Sequence, residues 1–340
     1  LLDHTHICQP STFQGLTLIP LYAPTSEEPS CLSLTRALTE EGFRITEVDA
    51  GGSVPELLVF NPTPFQVFLF DGQELKGAKQ NRVLNTSILV PAQSELRIPV
   101  SCTESGRWTS ISPEFSDSKT VMSPKIRRSK NASVSASYKA CGLAASHQSE
   151  VWSEIETLHA CAETSDSSPT RAMRDAYDAH QENLAAFKEA CPCEENQSGL
   201  LAIRHGRVET ADLLSQPSVY RDLHESLVQS HGLDALVRTT PADPSGDPDP
   251  ATASETSEAF LVQARDCNES THQSVGLGQD HRLSSALLNG SALVVEETTV
   301  HLALFSIDPK QPGPPAPVAS PHRRRRWHMP PHSGSDEDEL

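Results

Sequence analysis

Short apolar runs separated by turn residues fill the N-terminal third of the chain. The segments "LTLIPLYA" (16–23), "FRITEV" (43–48), "VPELLVFN" (54–61), "FQVFLFDG" (65–72), "RVLNTSILV" (82–90) and "ELRIPVSC" (95–102) are rich in Val, Ile, Leu and Phe. Runs this short, bounded by Gly, Pro and Asn, predict strands rather than helices. Pro20 has no N–H to give to a ladder and predicts an edge position for the first strand. The close spacing suits hairpins and leaves no length for crossover helices, so this half is expected to be antiparallel and β-rich. "LSLTRALTEE" (32–41) predicts a short amphipathic helix closed by Gly42, and Ala50-Gly51-Gly52 predicts a turn. Residues 1–15 are polar and aperiodic, and are expected to be disordered or poorly ordered.

The pattern then changes. From 103 to 145 the composition turns to Ser, Thr and Lys, which reads as a long loop. "SEVWSEIETLHACA" (149–162) sets Val151, Trp152, Ile155, Leu158 and His159 on one stripe of a helix. A second helix is expected over 168–190, opened by Ser168-Pro169 and carrying Met173, Ala176, Tyr177, Leu184 and Phe187. "GLLAIRHGRVETADLL" (199–214) reads as a hairpin turning at His205-Gly206, and Ser215-x-Pro217 opens a helix bearing Tyr220, Leu223 and Leu227. Repeated Asp and Pro make 240–256 a flexible insertion. Residues 281–307 predict a β meander with a turn at Asn289-Gly290, and 307–340 are expected to be a disordered tail. The expected fold is a single α+β domain over 16–306: an antiparallel β-rich N-terminal half, central helices and a C-terminal meander that rejoins the sheet.

Composition narrows the function classes. The 340 residues carry a formal net charge of -18, and such a body repels phosphate backbones and anionic lipid. General nucleic-acid binding is therefore disfavoured, and an anionic ligand needs a local positive pocket. No run approaches the ~18 apolar residues of a membrane span, and the N-terminus lacks the layout of a signal peptide. Eight scattered cysteines without a C-x-x-C pair read as reduced thiols in a cytoplasmic protein.

Two polar stretches interrupt this apolar pattern. "DGQELKGAKQNR" (71–82) places Asp71, Glu74, Lys76, Lys79, Gln80, Asn81 and Arg82 between two apolar runs, framed by Gly72 and Gly77. Lys79 and Arg82 suit a phosphate or carboxylate, Arg through a two-pronged fork. Gln80 and Asn81 offer donors and acceptors together, as a ribose, base or amide requires, and Glu74 suits general acid/base work. An exposed loop of mixed charge is the plain alternative. The second stretch, "PVSCTESGRW" (99–108), also leaves an apolar strand and brings Cys102, Glu104, Arg107 and Trp108. If 82–90 pairs antiparallel with 95–102, both stretches lie at one end of the sheet. Trp108 then suits stacking on a base or sugar, or else core packing.

"DGQELKGAKQNRVLNTSILVP" (71–91) with "IPVSCTESGRW" (98–108) resembles the domain family associated with ADP-ribosylglycohydrolases and rhodanese-phosphatases. The segments at 37–61, 149–155 and 284–305 fit the same family, so the resemblance spans about 16–306. It implies a link to NAD and ADP-ribose metabolism, with ADP-ribose-type ligands and enzymes of those two classes as partners. It implies no particular reaction, cofactor or catalytic residue.

Three readings follow. In the first, the chain binds ADP-ribose or a related phosphorylated nucleotide through Asp71, Lys79, Gln80, Asn81, Arg82, Arg107 and Trp108. In the second it is an enzyme, with Glu74 or Glu104 as acid/base and Cys102 as nucleophile. In the third, the two stretches form a buried polar network in a structural or protein-interaction domain. Weaker motifs add little. The H-x-H in Asp3-His4-Thr5-His6 has no completing ligands, Cys191-Pro192-Cys193 supplies too few, and no metal site is expected. Ser116-x-x-Lys119 lacks its partner motifs. His301, inside an apolar strand, reads as a satisfied core or edge residue rather than a base. Arg323 to Arg326 beside Trp327 read as part of a solvated tail.

Overall fold

Period-two alternation produces strands where it was expected, but they are shared among three sheets. The computed structural model describes residues 5–24, 30–49, 55–238 and 248–307. Asp3-His4, the Ala50-Gly51-Gly52 turn, most of the Asp/Pro stretch and the tail with Arg323 to Arg326 lie outside the described residues. The chain runs β1 (His6–Ile7), β2 (Ser11–Phe13), β3 (Leu16–Tyr22), β4 (Cys31–Ser33), α1 (Leu34–Ala37), β5 (Arg44–Glu47), β6 (Glu56–Asn61) and β7 (Gln66–Leu69). It continues with β8 (Gln73–Gly77), β9 (Arg82–Leu84), β10 (Ile88–Val90), β11 (Ser94–Cys102), β12 (Phe115–Val121), α2 (Pro124–Cys141), α3 (Gln148–Cys161), α4 (Met173–Ala179) and α5 (Gln181–Ala190). Last come β13 (Gly199–Arg204), β14 (Arg207–Leu214), α6 (Pro217–Val237), α7 (Pro250–Arg265), β15 (Asn268–Gln273), β16 (Gln279–Ser284), β17 (Leu288–Val295) and β18 (Thr298–Ser306). The fold is α+β, as its strand spacing predicts.

A nine-stranded antiparallel sheet has the order β1-β3-β13-β14-β18-β17-β16-β15, with β2 also on β3. A six-stranded sheet runs β12-β8-β9-β11-β6-β5, and a three-stranded one β10-β7-β4. Alternate residues of the large sheet feed opposite layers. Leu200, Ala202 and Leu214 pack with Tyr220, Leu223 and Leu227 of α6, whereas Leu201, Ile203 and Leu213 pack with Phe260 and Leu261 of α7. Each such leucine removed from water contributes roughly 1.5–3 kcal/mol, which makes these two layers the main anchor of the sheet.

Several expectations need correction. Within the first fifteen residues, His6–Ile7 and Ser11–Phe13 form β1 and β2 rather than an unordered end. Pro20 is not on an edge: its strand is paired on both sides, and Pro20 sits in the gap between the β1 and β2 pairings. The 32–41 helix shortens to the single turn of α1. The 82–90 run divides into β9, which pairs β11, and β10, which pairs β7. Asn85, Thr86 and Ser87 at the break give their polar groups to buried partners instead of a ladder. The C-terminal meander joins β14, not the sheet built from 56–102.

The stretch 103–145 contains β12 and the 18-residue helix α2. Its inward face mixes Ile126, Val134 and Tyr138 with Arg127, Lys130, Asn131 and Ser133, so the apolar stripe that marks a buried helix is interrupted by polar residues. The 168–190 helix starts only at Met173 and breaks at His180 into α4 and α5. Asp249 and Pro250 are helix-start residues: the Asp249 side chain accepts from the N–H groups of Ala251 and Thr252 to cap α7. Asn289-Gly290 lies inside β17, and the meander turns at 285–287 and at Glu296-Glu297.

Candidate functional site

The two polar stretches meet, because β9 and β11 pair with Arg82 opposite Cys102. Ala78, at φ 40, reverses the chain between β8 and β9 and turns its carbonyl inward. The Asn81 N–H donates to Glu104 Oε2 at 3.1 Å, while the Asn81 carbonyl accepts from the Thr103 N–H at 3.0 Å. Arg107 closes the arrangement with a fork on Glu104, Nε to Oε1 at 2.9 Å and Nη2 to Oε2 at 2.6 Å. Its Nη1 donates to the Ala78 carbonyl at 2.6 Å. Burial would raise the Glu104 pKa, but the hydrogen bonds from Arg107, Thr170 and the Asn81 N–H outweigh it and hold the carboxyl below its usual range.

Arg82 lies deeper, with no exposed surface. Its Nη1 donates to Gln80 Oε1 at 2.9 Å and contacts the Cys102 sulfur. Glu47 of β5 stands 3.7 Å from Nη2, too far for a hydrogen bond, and Nε and Nη2 have no hydrogen-bond partner among the described residues. Over this guanidinium sits Trp108, 48% exposed, its ring centre 5.8 Å from Arg82 Cζ and 5.5 Å from Lys79 Nζ. Trp108 is therefore not a core residue. It forms a half-open lip with two cations set over its ring.

The enzyme candidates are placed less favourably. Burial pushes the Cys102 thiol up to about 11, although Arg82 opposes it, so the sulfur is protonated at neutral pH. Glu74 is fully buried and accepts from Thr103 Oγ1 at 2.6 Å; burial raises its pKa to about 7. Asp71 is not part of this group at all.

Asp71 belongs to a second cluster where β9 gives way to β10. It pairs with Lys130, whose Nζ also donates to the Asn85 carbonyl at 2.9 Å. Arg127, one turn earlier on α2, forks onto Asp212 of β14 with both bonds at 2.8 Å. The guanidinium is held between Phe70 and Phe305, 4.7 and 5.2 Å from their ring centres. Gly72 permits this approach, since a Cβ there would stand 2.8 Å from the Arg127 side chain. Burial would raise the Asp212 pKa, but Arg127 and His301 hold it well below the carboxylate range. Nearby, Thr86 donates to Asp280 at 2.7 Å and Arg282 pairs with the same carboxylate at 2.6 Å. Arg127, Lys130, Asp212, Asp280 and Arg282 are not among the sequence candidates. The available signal was a charge at an inward strand position, as at Asp212 and at Asp280 and Arg282 two residues apart.

The remaining motifs stay separate. Ser116 donates to the Lys76 carbonyl while Lys119 pairs with Asp117, so the S-x-x-K spacing makes no joint site. All eight cysteines are unpaired. Among the described residues no three metal-ligating side chains gather, and no helix is long and apolar enough to cross a membrane.

The family model described as the ARG and Rhodanese-Phosphatase-superfamily-associated Protein domain matches residues 4–305. The chain belongs to this family, whose name ties it to ADP-ribosylglycohydrolase and rhodanese-phosphatase proteins. No curated protein and no solved structure matches it.

Proposed function

We propose that the Lys79–Trp108 lip over Arg82 recognises ADP-ribose or a related phosphorylated nucleotide. In this reading the chain works in the cytoplasm beside enzymes of the two classes in its family name. The observation that carries this is Arg82, a fully buried cation with two nitrogens that have no hydrogen-bond partner among the described residues, beneath a half-exposed indole. Buried donors are seldom left unpaired, and phosphate oxygens would complete a guanidinium in this position. Lys79 adds charge at the rim, and Trp108 offers a face for the base. Gln80, Asn81, Glu104 and Arg107 then act as the frame that holds the lip.

The enzyme reading is weaker here, because Cys102 is a protonated thiol and both Glu104 oxygens are occupied by Arg107. A protein-interaction domain is the second reading, favoured by the closure of the Glu104–Arg107 fork on its own backbone. Calorimetric titration with ADP-ribose separates them. Wild-type protein should bind, and Trp108→Ala should lose roughly five- to a hundredfold in affinity, the usual worth of one stacked base. Binding that is unchanged in both Trp108→Ala and Arg82→Ala would remove the lip assignment. A wild-type protein that binds no nucleotide would leave the interaction domain.

A further inference from the structure

The second cluster contains a hydrogen-bonded Ser–His–Asp relay assembled from three distant segments. Ser87 Oγ lies 2.7 Å from His301 Nδ1, and His301 Nε2 lies 3.2 Å from Asp212 Oδ1. The polarity of the relay is set by its far end. Asp212 is held ionised by the Arg127 fork and can only accept, so a neutral His301 carries its proton on Nε2. Nδ1 then presents a lone pair, and the Ser87 hydroxyl must donate to it. That is the arrangement in which a base activates a serine and a carboxylate orients the base. The Asp71 N–H donates to Ser87 Oγ at 3.0 Å and fixes the oxygen in place. Phe68 and Phe70 stand 5.8 and 4.7 Å from the His301 ring and keep it from turning.

We propose that Ser87, His301 and Asp212 form a nucleophilic site for small carboxylic esters, independent of the Lys79–Trp108 lip. In the first step Ser87 Oγ bonds to the acyl carbon, its proton passes to His301 Nδ1, and the carbonyl π pair moves onto oxygen. Collapse of that intermediate expels the alkoxide, which takes the proton from Nδ1 and leaves as an alcohol. Water repeats the sequence on the acyl-serine, releasing a carboxylic acid and restoring Ser87. Asp212 is the positioning residue. Asp71 and Asp212 are matched in charge by Lys130 and Arg127, so the imidazolium formed on attack is offset by the oxyanion formed with it. Ser87 is only 6% exposed, and His301 and Asp212 1%, so the test calls for small probes.

The test uses phenylmethylsulfonyl fluoride as the probe, peptide mapping by mass spectrometry, and p-nitrophenyl acetate hydrolysis. Native protein should acquire one adduct, on Ser87, and heat-unfolded protein none there. Ser87→Ala should lose both the adduct and the hydrolysis. His301→Gln, which keeps a polar side chain, should label about a hundredfold more slowly, the usual range for removal of a general base. An unmodified Ser87 in native wild-type protein overturns the proposal, and so does a folded His301→Gln protein that labels at the wild-type rate. If His301→Gln does not fold, the adduct map of the wild-type protein decides alone.

Discussion

Arg127 of α2 and Asp212 of β14 form a two-pronged ion pair, both bonds 2.8 Å, across 85 positions of sequence and with no exposed edge. The pair joins the helix that supports the 71–87 region to the centre of the nine-stranded sheet. Its geometry ties both oxygens of Asp212 to one guanidinium, so removing either partner leaves the other in the core with a weaker contact alone, Asp212 with His301 at 3.2 Å or Arg127 with Asp71 at 3.7 Å.

Truncating one side of a buried pair typically costs about 3–5 kcal/mol. Arg127→Met and Asp212→Leu are each expected to lose stability of that order in urea unfolding. The double variant should lose clearly less than the sum, because neither charge is left alone. Additive losses would show that the pair does not act as a unit.

Glu74 and His231 should oppose one another in the pH profile of stability. Glu74 has a folded pKa of about 7, raised above its unfolded value of roughly 4.3, so between these values the folded state binds more protons. Its contribution falls as pH rises through that window, by roughly 4 kcal/mol at most. Burial lowers His231 to about 4, below the unfolded value of roughly 6.5, so the unfolded state binds more protons between them. That contribution is lost as pH falls from 6.5 towards 4. Glu74→Gln should therefore gain stability relative to wild type at pH 8 more than at pH 5, and His231→Gln should flatten the acid side. Thermal unfolding across pH measures both.

Two glycines separate backbone strain from steric collision. Gly206, at φ +68, has open space where a Cβ would go, so Gly206→Ala should cost only the roughly 1–2 kcal/mol of a left-handed alanine. Gly72, at φ +83, adds a Cβ contact of 2.8 Å with Arg127. Gly72→Ala should cost visibly more by chemical denaturation, and a Gly72→Ala/Arg127→Ala protein, which lacks the colliding Cγ and Cδ, should lose less than the sum of the two single losses.

Arg107→Lys keeps the charge and loses the fork. A single ammonium cannot hold both Glu104 oxygens and the Ala78 carbonyl. Stability should drop by about 1–3 kcal/mol. Hydrogen exchange at the Asn81 N–H, which depends on Glu104, should rise more than at β17.

Much of this was legible along the chain. The β9–β11 pairing brings Arg82 to Cys102, so the meeting of the two polar stretches was readable from the two apolar runs, although β10 between them turns away to pair β7. The α6 start at Pro217 and the His205-Gly206 hairpin follow from local turn and cap chemistry. Local signals failed where a charged residue faces inward. α2 reads as a loop because Arg127, Lys130 and Asn131 break up its buried face, and their partners lie far off in the sequence.

By itself, then, the sequence determined strand periodicity, the 199–214 hairpin and the family, because these depend on neighbouring residues and on side-chain alternation. Tertiary structure alone decided which charges meet. Ser87, Asp212 and His301 are separated by many strands, and only the β14–β18 pairing and the break between β9 and β10 bring them within hydrogen-bond reach. The physical reason is that a buried ion or hydroxyl is stabilised by whichever complementary group the packing delivers, and that group leaves no periodic trace in the chain.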